Sequence, residues 1–279
     1  ASFKTKITCE KAKFDISGKS GEDFSYLPYI EKNEYISLSQ FNLKEVIKQT
    51  IFSVSDNENN KIMTGELFEI NGENLKVVSL DGHRVSIRNL KLKESYDPRK
   101  VIVPGKTLVE VSKILSGEME DEVRIFFTKN HIVFEFDETV VVSRLIEGEY
   151  FRISQMLSSD YETKVNVNRR AFLDSIERAS ILIRENDKKP IIITITDEGM
   201  QLKMNSAYGT MNAEVGITKF GKDIMIGFNP KFLIDALRII DDEEVTLYMM
   251  NPKSPCFIKD DEENYIYLIL PVNFNAAAI

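Results

Sequence analysis

The chain has 279 residues, 43% of them hydrophobic and 29% charged, with a net charge of -8; this is ordinary for globular domains and leaves room for two domains or three partial ones. No run approaches the ~20 apolar residues that span a bilayer, and the opening Ala1-Ser2-Phe3-Lys4-Thr5-Lys6-Ile7 lacks the apolar stretch of a secretion signal. Cys9 and Cys256 stand at opposite ends without CxxC spacing, which disfavours structural zinc and a disulfide framework, so a cytoplasmic setting with no metal or cofactor is expected.

In chain order, alternation predicts a hairpin over 3–9 and 12–16, followed by an exit strand, Phe24-Ser25-Tyr26-Leu27-Pro28. A short strand, Ile36-Ser37-Leu38, leads into a helix over 42–51 with Leu43, Val46, Ile47 and Ile51 on one face. Next comes a hairpin, 66–70 and 75–80, about the turn Asn71-Gly72-Glu73-Asn74. The strand Val101-Ile102-Val103-Pro104 precedes a second helix over 104–115. A hairpin over 123–127 and 132–136, turning at Lys129-Asn130, and an exit strand over 140–146 complete the unit.

The same order then recurs. Val165-Asn166-Val167 precedes a third helix over 168–184, with Phe172, Leu173, Ile176, Ala179 and Ile183 together. A hairpin over 191–195 and 201–204 turns at Asp197-Glu198-Gly199. Ile226-Gly227-Phe228 leads to a fourth helix, which opens with an Asn229 cap and Pro230 at its first position. Its expected buried face is Phe232, Leu233, Leu237 and Ile240, and an exit strand over 265–270 follows. Short strand, helix, hairpin, strand, helix, hairpin and exit strand thus occur twice, roughly 130 residues apart. The first 34 residues match the tail of a third copy. Because a hairpin alone is marginal in water, the chain is expected to lack the rest of that copy. The predicted division is 1–34, 35–160 and 161–279.

Charge is segregated. The helices carry Lys44, Lys48, Lys106, Lys113, Arg169, Arg170, Arg178, Arg184, Lys231 and Arg238 against Glu45, Glu110, Asp174, Glu177 and Asp235, while acidic runs at 241–244 and 260–263 lie outside them. Good helix formers alone explain some of this. The stronger reading is a fold of class α+β, built from repeated domains, each with two helices on an inner concave side and antiparallel sheets outside. Its basic helices would meet phosphates without reading bases. Only two histidines occur, His83 and His131, and His131 is expected at an exposed strand position.

The string Val77-Val78-Ser79-Leu80-Asp81-Gly82-His83-Arg84-Val85 resembles the TDGHRL signature of the bacterial sliding clamp, the β subunit of DNA polymerase III. Segments 101–104, 226–229 and 267–272 resemble further stretches of that family in the same order, and the likeness runs from about Phe3 to Phe274. It implies a non-catalytic clamp that tethers a replicative polymerase to double-stranded DNA without sequence preference. Clamp loader, repair polymerases and ligase-type partners would dock through short peptides. No membrane is involved, and two three-domain subunits would close into a ring. The chain itself is expected to be monomeric, since one half of each ring joint belongs to the first domain.

Carried over by position, the peptide groove comprises Met63, Leu80, Gly82, His83, Arg84, Val85, Phe151, Gln155, Met156, Asn229, Phe232, Leu268, Ile269, Leu270, Pro271 and Val272. Most are apolar or small, as a peptide groove requires, with His83, Arg84, Gln155 and Asn229 as polar handles. Leu80 stands where the signature has Thr, and Phe151 and Gln155 stand where better-known members have Pro and Arg. The DNA-facing set is Lys44, Lys48, Lys106, Lys113, Arg169, Arg170, Lys231 and Arg238, and the ring interface would expose Arg178, Ile181 and Leu182.

Two other readings compete. An enzyme would need a phosphate-cradling glycine loop, a nucleophile elbow or metal-spaced histidines, and the sequence has none of these. A β-rich interaction module unrelated to DNA accounts for the acidity but not for the basic helices.

Overall fold

The computed structural model describes residues 3–24, 30, 32, 34–157, 160–183 and 189–274. The chain divides into two units, residues 1–32 and 33–279. In the first, β1 (Lys4–Cys9) and β2 (Ala12–Ser17) form an antiparallel hairpin. Ile7 pairs with Phe14 and Thr5 with Ile16 on one face, while Lys6 pairs with Asp15 on the other, the alternation expected of a two-faced ribbon. Of the exit strand predicted after it, positions 25–28 lie outside the described residues, as do Arg184 and the tail 275–279.

The second unit holds both repeats. The first contains β3 (Tyr35–Ser39), α1 (Gln40–Thr50), β4 (Gly65–Leu80), β5 (Arg84–Pro104), α2 (Gly105–Ile114), β6 (Glu122–Phe127), β7 (His131–Phe136) and β8 (Thr139–Arg144). The second contains β9 (Thr163–Asn168), α3 (Arg169–Ser180), β10 (Ile191–Thr196), β11 (Gly199–Ser206), β12 (Gly209–Val215), β13 (Ile217–Gly221), β14 (Ile224–Phe228), α4 (Pro230–Ile239), β15 (Glu244–Met249), β16 (Cys256–Lys259) and β17 (Tyr265–Ile269). The fold is α+β, and every strand pair is antiparallel.

Helix starts follow from side-chain caps that satisfy orphan amides. Ser39 accepts from the Asn42 amide, Asn168 from Ala171, and Asn229 from Lys231 with Pro230 at the first position. The helices stand in a row, α2 against α1, α1 against α4, and α4 against α3. Among the described residues no helix is long and apolar enough to cross a membrane.

The sheets repeat as the sequence does. The order β3-β6-β7-β8 in the first copy corresponds to β9-β15-β16-β17 in the second. Past that point the second copy's sheet does not stop, because β17 pairs with β5, so seven strands run β13-β9-β15-β16-β17-β5-β4 through both copies.

The predicted hairpin at 71–74 is overturned. β4 runs unbroken through this segment against β5, with register shifts on both sides of Gly72, which sits at φ 59°. The glycine-containing stretch bulges instead of reversing, and the reversal falls at Asp81-Gly82-His83. At the matching place in the second copy, between β10 and β11, the chain does turn back. His131, expected to be exposed, is half-buried at the start of β7.

Three apolar clusters form. One fills the first copy beneath α1 and α2, and one fills the second beneath α3 and α4. The third joins them, with Leu67, Val78, Leu80, Val85, Ile87 and Ile153 from the first copy meeting Phe257, Ile266 and Leu268 from the second. On α4 the buried residues are Pro230, Leu233, Ile234, Ala236 and Leu237, and Ile240 is buried just beyond the helix. Phe232, expected in the core, is only half-buried, because its ring faces His83 and Arg84.

Candidate functional site

The site begins with the turn between β4 and β5. Asp81 Oδ1 accepts from the amides of His83 (2.9 Å) and Arg84 (3.1 Å), closing a short side-chain-capped turn. Gly82 sits at φ 89°, a conformation that costs glycine nothing and other residues much. The Asp-Gly pair is therefore what the local backbone demands, and it leaves the His83 side chain exposed.

Arg84 points the other way. It is 7% exposed, and its Nε donates to Asp81 Oδ2 (2.9 Å), Nη1 to Asp235 Oδ2 on α4 (2.7 Å) and Nη2 to the Phe52 carbonyl (2.5 Å). Its guanidinium lies 4.6 Å from the Phe232 ring centroid and 5.3 Å from that of Phe52. The expected polar handle is thus a buried, fully partnered cation, as burial of a charge requires.

The closing strand locks onto this turn. Ile269 pairs with Arg84 and Leu268 with Val85, and the Leu270 amide donates to the His83 carbonyl at 2.9 Å. Strand β17 is buried on both faces. Tyr265, Tyr267 and Ile269 enter the second copy's core, whereas Ile266, Leu268 and Leu270 enter the junction cluster. That explains its continuous apolar run, in which alternation is absent. Val272 follows with its amide on the Gly227 carbonyl (2.8 Å), the counterpart of Ile146 on Ile102 (2.9 Å) in the first copy.

Of the sixteen expected groove residues, Met63, Leu80, Val85, Leu268 and Leu270 share the junction cluster. His83 and Phe232 stack with ring centroids 6.0 Å apart at 20°. Phe151, Gln155 and Met156 are exposed around the buried Ile153, and Met156 is 41% exposed. Asn229 spends its side-chain oxygen capping α4, and Ile269 faces the other core. Pro271 and Val272 are half-buried. A cavity of about 980 Å³ runs beside residues 145–154, and Phe151 is the one expected groove residue that lines it.

A titratable group lies behind the junction. Glu66 is wholly buried in β4, its carboxylate oxygens meet no well-formed hydrogen bond among the described residues, and burial, opposed only by the Thr50 hydroxyl nearby, pushes its carboxyl well above the usual carboxylate range.

The helix cations are largely neutralised by neighbours. Lys48 pairs with Glu45, Lys106 with Glu58, Lys113 with Glu110, Arg170 with Asp174, Lys231 with Asp235 and Arg238 with Glu177. Lys44 and Arg169 are half-buried and donate to helix-terminal carbonyls, Lys44 to Leu115 (3.0 Å) and Arg169 to Leu237 (3.2 Å). Cations there complement the negative ends of α2 and α4. Beyond α3, Ile181 is 81% exposed beside an exposed Arg178, whereas Leu182, expected to be exposed too, is half-buried against the core.

Sequence reasoning missed Phe52, Asp235, Tyr150 and Ile153 as parts of the junction. Asp235 read as one more helix-surface carboxylate, and Phe52 carries no local signal, since its partners Arg84 and Tyr267 are distant in sequence.

Residues 37–151 match the family model for the central domain of the DNA polymerase III beta subunit, and residues 154–273 match that for its C-terminal domain. The beta sliding clamp of Staphylococcus epidermidis is 34% identical over 273 residues, covering 97% of this chain and 72% of the relative. A crystal structure described as a DNA polymerase III beta subunit from Eubacterium rectale is 68% identical, with a TM-score of 0.93 over 99% of this chain and 75% of that one. The DNA polymerase sliding clamp of Bacillus subtilis is 30% identical, with a TM-score of 0.90 over 98% of this chain and 73% of that one. Two successive family models, matched in order across both repeats, place the chain in the DNA polymerase III beta subunit family, the beta sliding clamps.

Proposed function

We propose that the chain acts as the docking platform of a sliding clamp. It would hold short peptides from the replicative polymerase, the clamp loader and repair or ligase-type proteins in a groove over the junction of the two repeats. The row of helices would face duplex DNA. The division we propose is a hairpin over 1–34 from a preceding domain, then domains at 35–160 and 161–279. The role is non-catalytic and cytoplasmic, and in the ring the end of α3 would meet another subunit.

One observation carries the reading. The buried side chains of Leu80, Val85 and Leu268 and the half-buried Leu270, drawn from two stretches far apart in sequence, form one cluster, beside which His83 and Met156 are exposed. A methionine so placed adapts to varied apolar anchors. Two anchors worth ~1.5–3 kcal/mol each give affinities nearer millimolar than nanomolar once binding costs are subtracted, which suits partners that exchange.

The test is calorimetry with a peptide copied from the tail of the replicative polymerase. Met156→Ala and Leu270→Ala should each weaken binding several-fold, about 1 kcal/mol, while circular dichroism stays unchanged. Affinity equal to wild type in both variants removes the groove assignment.

A further inference from the structure

Arg84 stands in the wall of the proposed groove but offers it no charge. Each of its three guanidinium nitrogens is engaged, with Asp81 on the turn, Asp235 on α4 and the Phe52 carbonyl just after α1. The three acceptors belong to separate elements of both repeats. The Phe232 ring, against the guanidinium at 4.6 Å, also stacks on His83. Asp235 Oδ2 accepts from Lys231 Nζ (2.6 Å) as well, so that carboxylate keeps a cation even without Arg84.

We propose that Arg84 is a positioning residue, a latch between the repeats that holds α4 and Phe232 against the 81–84 turn. Its effect is to preset the spacing of the His83–Phe232 wall while the side chain itself stays out of a peptide's reach. A preorganised wall spares a weak ligand the cost of ordering it. This inference rests on the groove reading above and adds how the groove is held.

Only a planar fork spans three such acceptors; lysine keeps the charge but engages as a point. The full chain should therefore be compared as wild type, Arg84→Lys, Asp235→Asn and Leu270→Ala. Two readouts are needed: affinity for the labelled polymerase-tail peptide, and the NMR resonance of the His83 ring protons, which the Phe232 ring current shifts. Arg84→Lys should weaken binding about tenfold and move the His83 resonance toward that of an unstacked imidazole, with a single cooperative unfolding transition retained. Asp235→Asn, at the far end of the bridge, should do both more mildly and serves if Arg84→Lys does not fold. Leu270→Ala should lose affinity with the His83 resonance unmoved.

Wild-type affinity in the latch variants, with Leu270→Ala weakened, overturns the inference and spares the groove. Lost affinity in the latch variants with an unmoved His83 resonance also overturns it, because Arg84 then touches the peptide directly. Wild-type affinity in Leu270→Ala and in Met156→Ala alike overturns the groove reading and the inference with it.

Discussion

The amide of Leu270 donates to the carbonyl of His83 at 2.9 Å, so the last strand of the second repeat ends on the turn that opens β5 in the first. This contact extends the β17–β5 ladder by one bond beyond Ile269 and Arg84. Register there decides which side chains reach the junction. A slip of one residue would send Tyr267 and Ile269 into the junction cluster and withdraw Leu268 and Leu270 from it. The proposed groove is therefore a property of strand pairing as much as of residue type.

Gly82 should resist replacement. At φ 89°, an added Cβ meets nothing within 4 Å, so Gly82→Ala pays only for backbone conformation. We expect a loss of about 1–2 kcal/mol, or a fall in Tm of roughly 2–8 °C for a chain of this size. Differential scanning calorimetry checks this, and a variant as stable as the parent means that the turn relaxes to another geometry.

Glu66 should make the protein less stable as pH rises. Its folded-state carboxyl titrates well above the unfolded value, so the folded chain binds the proton more tightly. Stability from this group is complete below the unfolded pKa of about 4.3 and is lost progressively as pH climbs toward the folded pKa. Glu66→Gln removes the charge and keeps the shape. Urea unfolding at pH 5 and pH 8 should show the variant gaining roughly 1–3 kcal/mol on the parent at the higher pH, the scale of an unsatisfied buried group. Parallel pH profiles for the two proteins would contradict the assignment.

Weak attraction to DNA is expected from the paired cations. Glu177 Oε1 accepts from Arg238 Nε (3.0 Å) and Nη2 (2.8 Å), so Glu177→Gln should release Arg238 toward phosphate. Fluorescence anisotropy on a duplex should show affinity rising about threefold at low salt, with a steeper salt dependence. No change would remove Arg238 from the DNA-facing set.

The 279-residue chain should sediment as a monomer. At the proposed ring joint Ile181 is the strongly exposed apolar residue, and Leu182 is already half-buried against its own core. One such anchor falls well short of the ~1,000 Å² that a specific interface buries. A stable dimer at micromolar concentration would show that this face, or another, is self-complementary.

The five expected residues that join the junction cluster, Met63, Leu80, Val85, Leu268 and Leu270, came only through the family resemblance. Periodicity and caps were enough to read four helices, most hairpins and the internal repeat from the chain alone. All of these are set within a few turns of backbone, where spacing and side-chain chemistry act directly. Three matters were decided by the tertiary structure. Asn71-Gly72-Glu73-Asn74 can reverse or bulge, and the availability of β5 as a continuous partner made it bulge. Arg84 reads as an exposed handle until Asp235 arrives from 151 residues away and the rings of Phe52 and Phe232 close over it. The helix cations read as a net basic face, ten against five carboxylates, until the pairing of individual side chains is fixed by packing. In each case the deciding group is remote in sequence or depends on a side-chain direction, and only packing brings it within the few ångströms over which hydrogen bonds and ion pairs act.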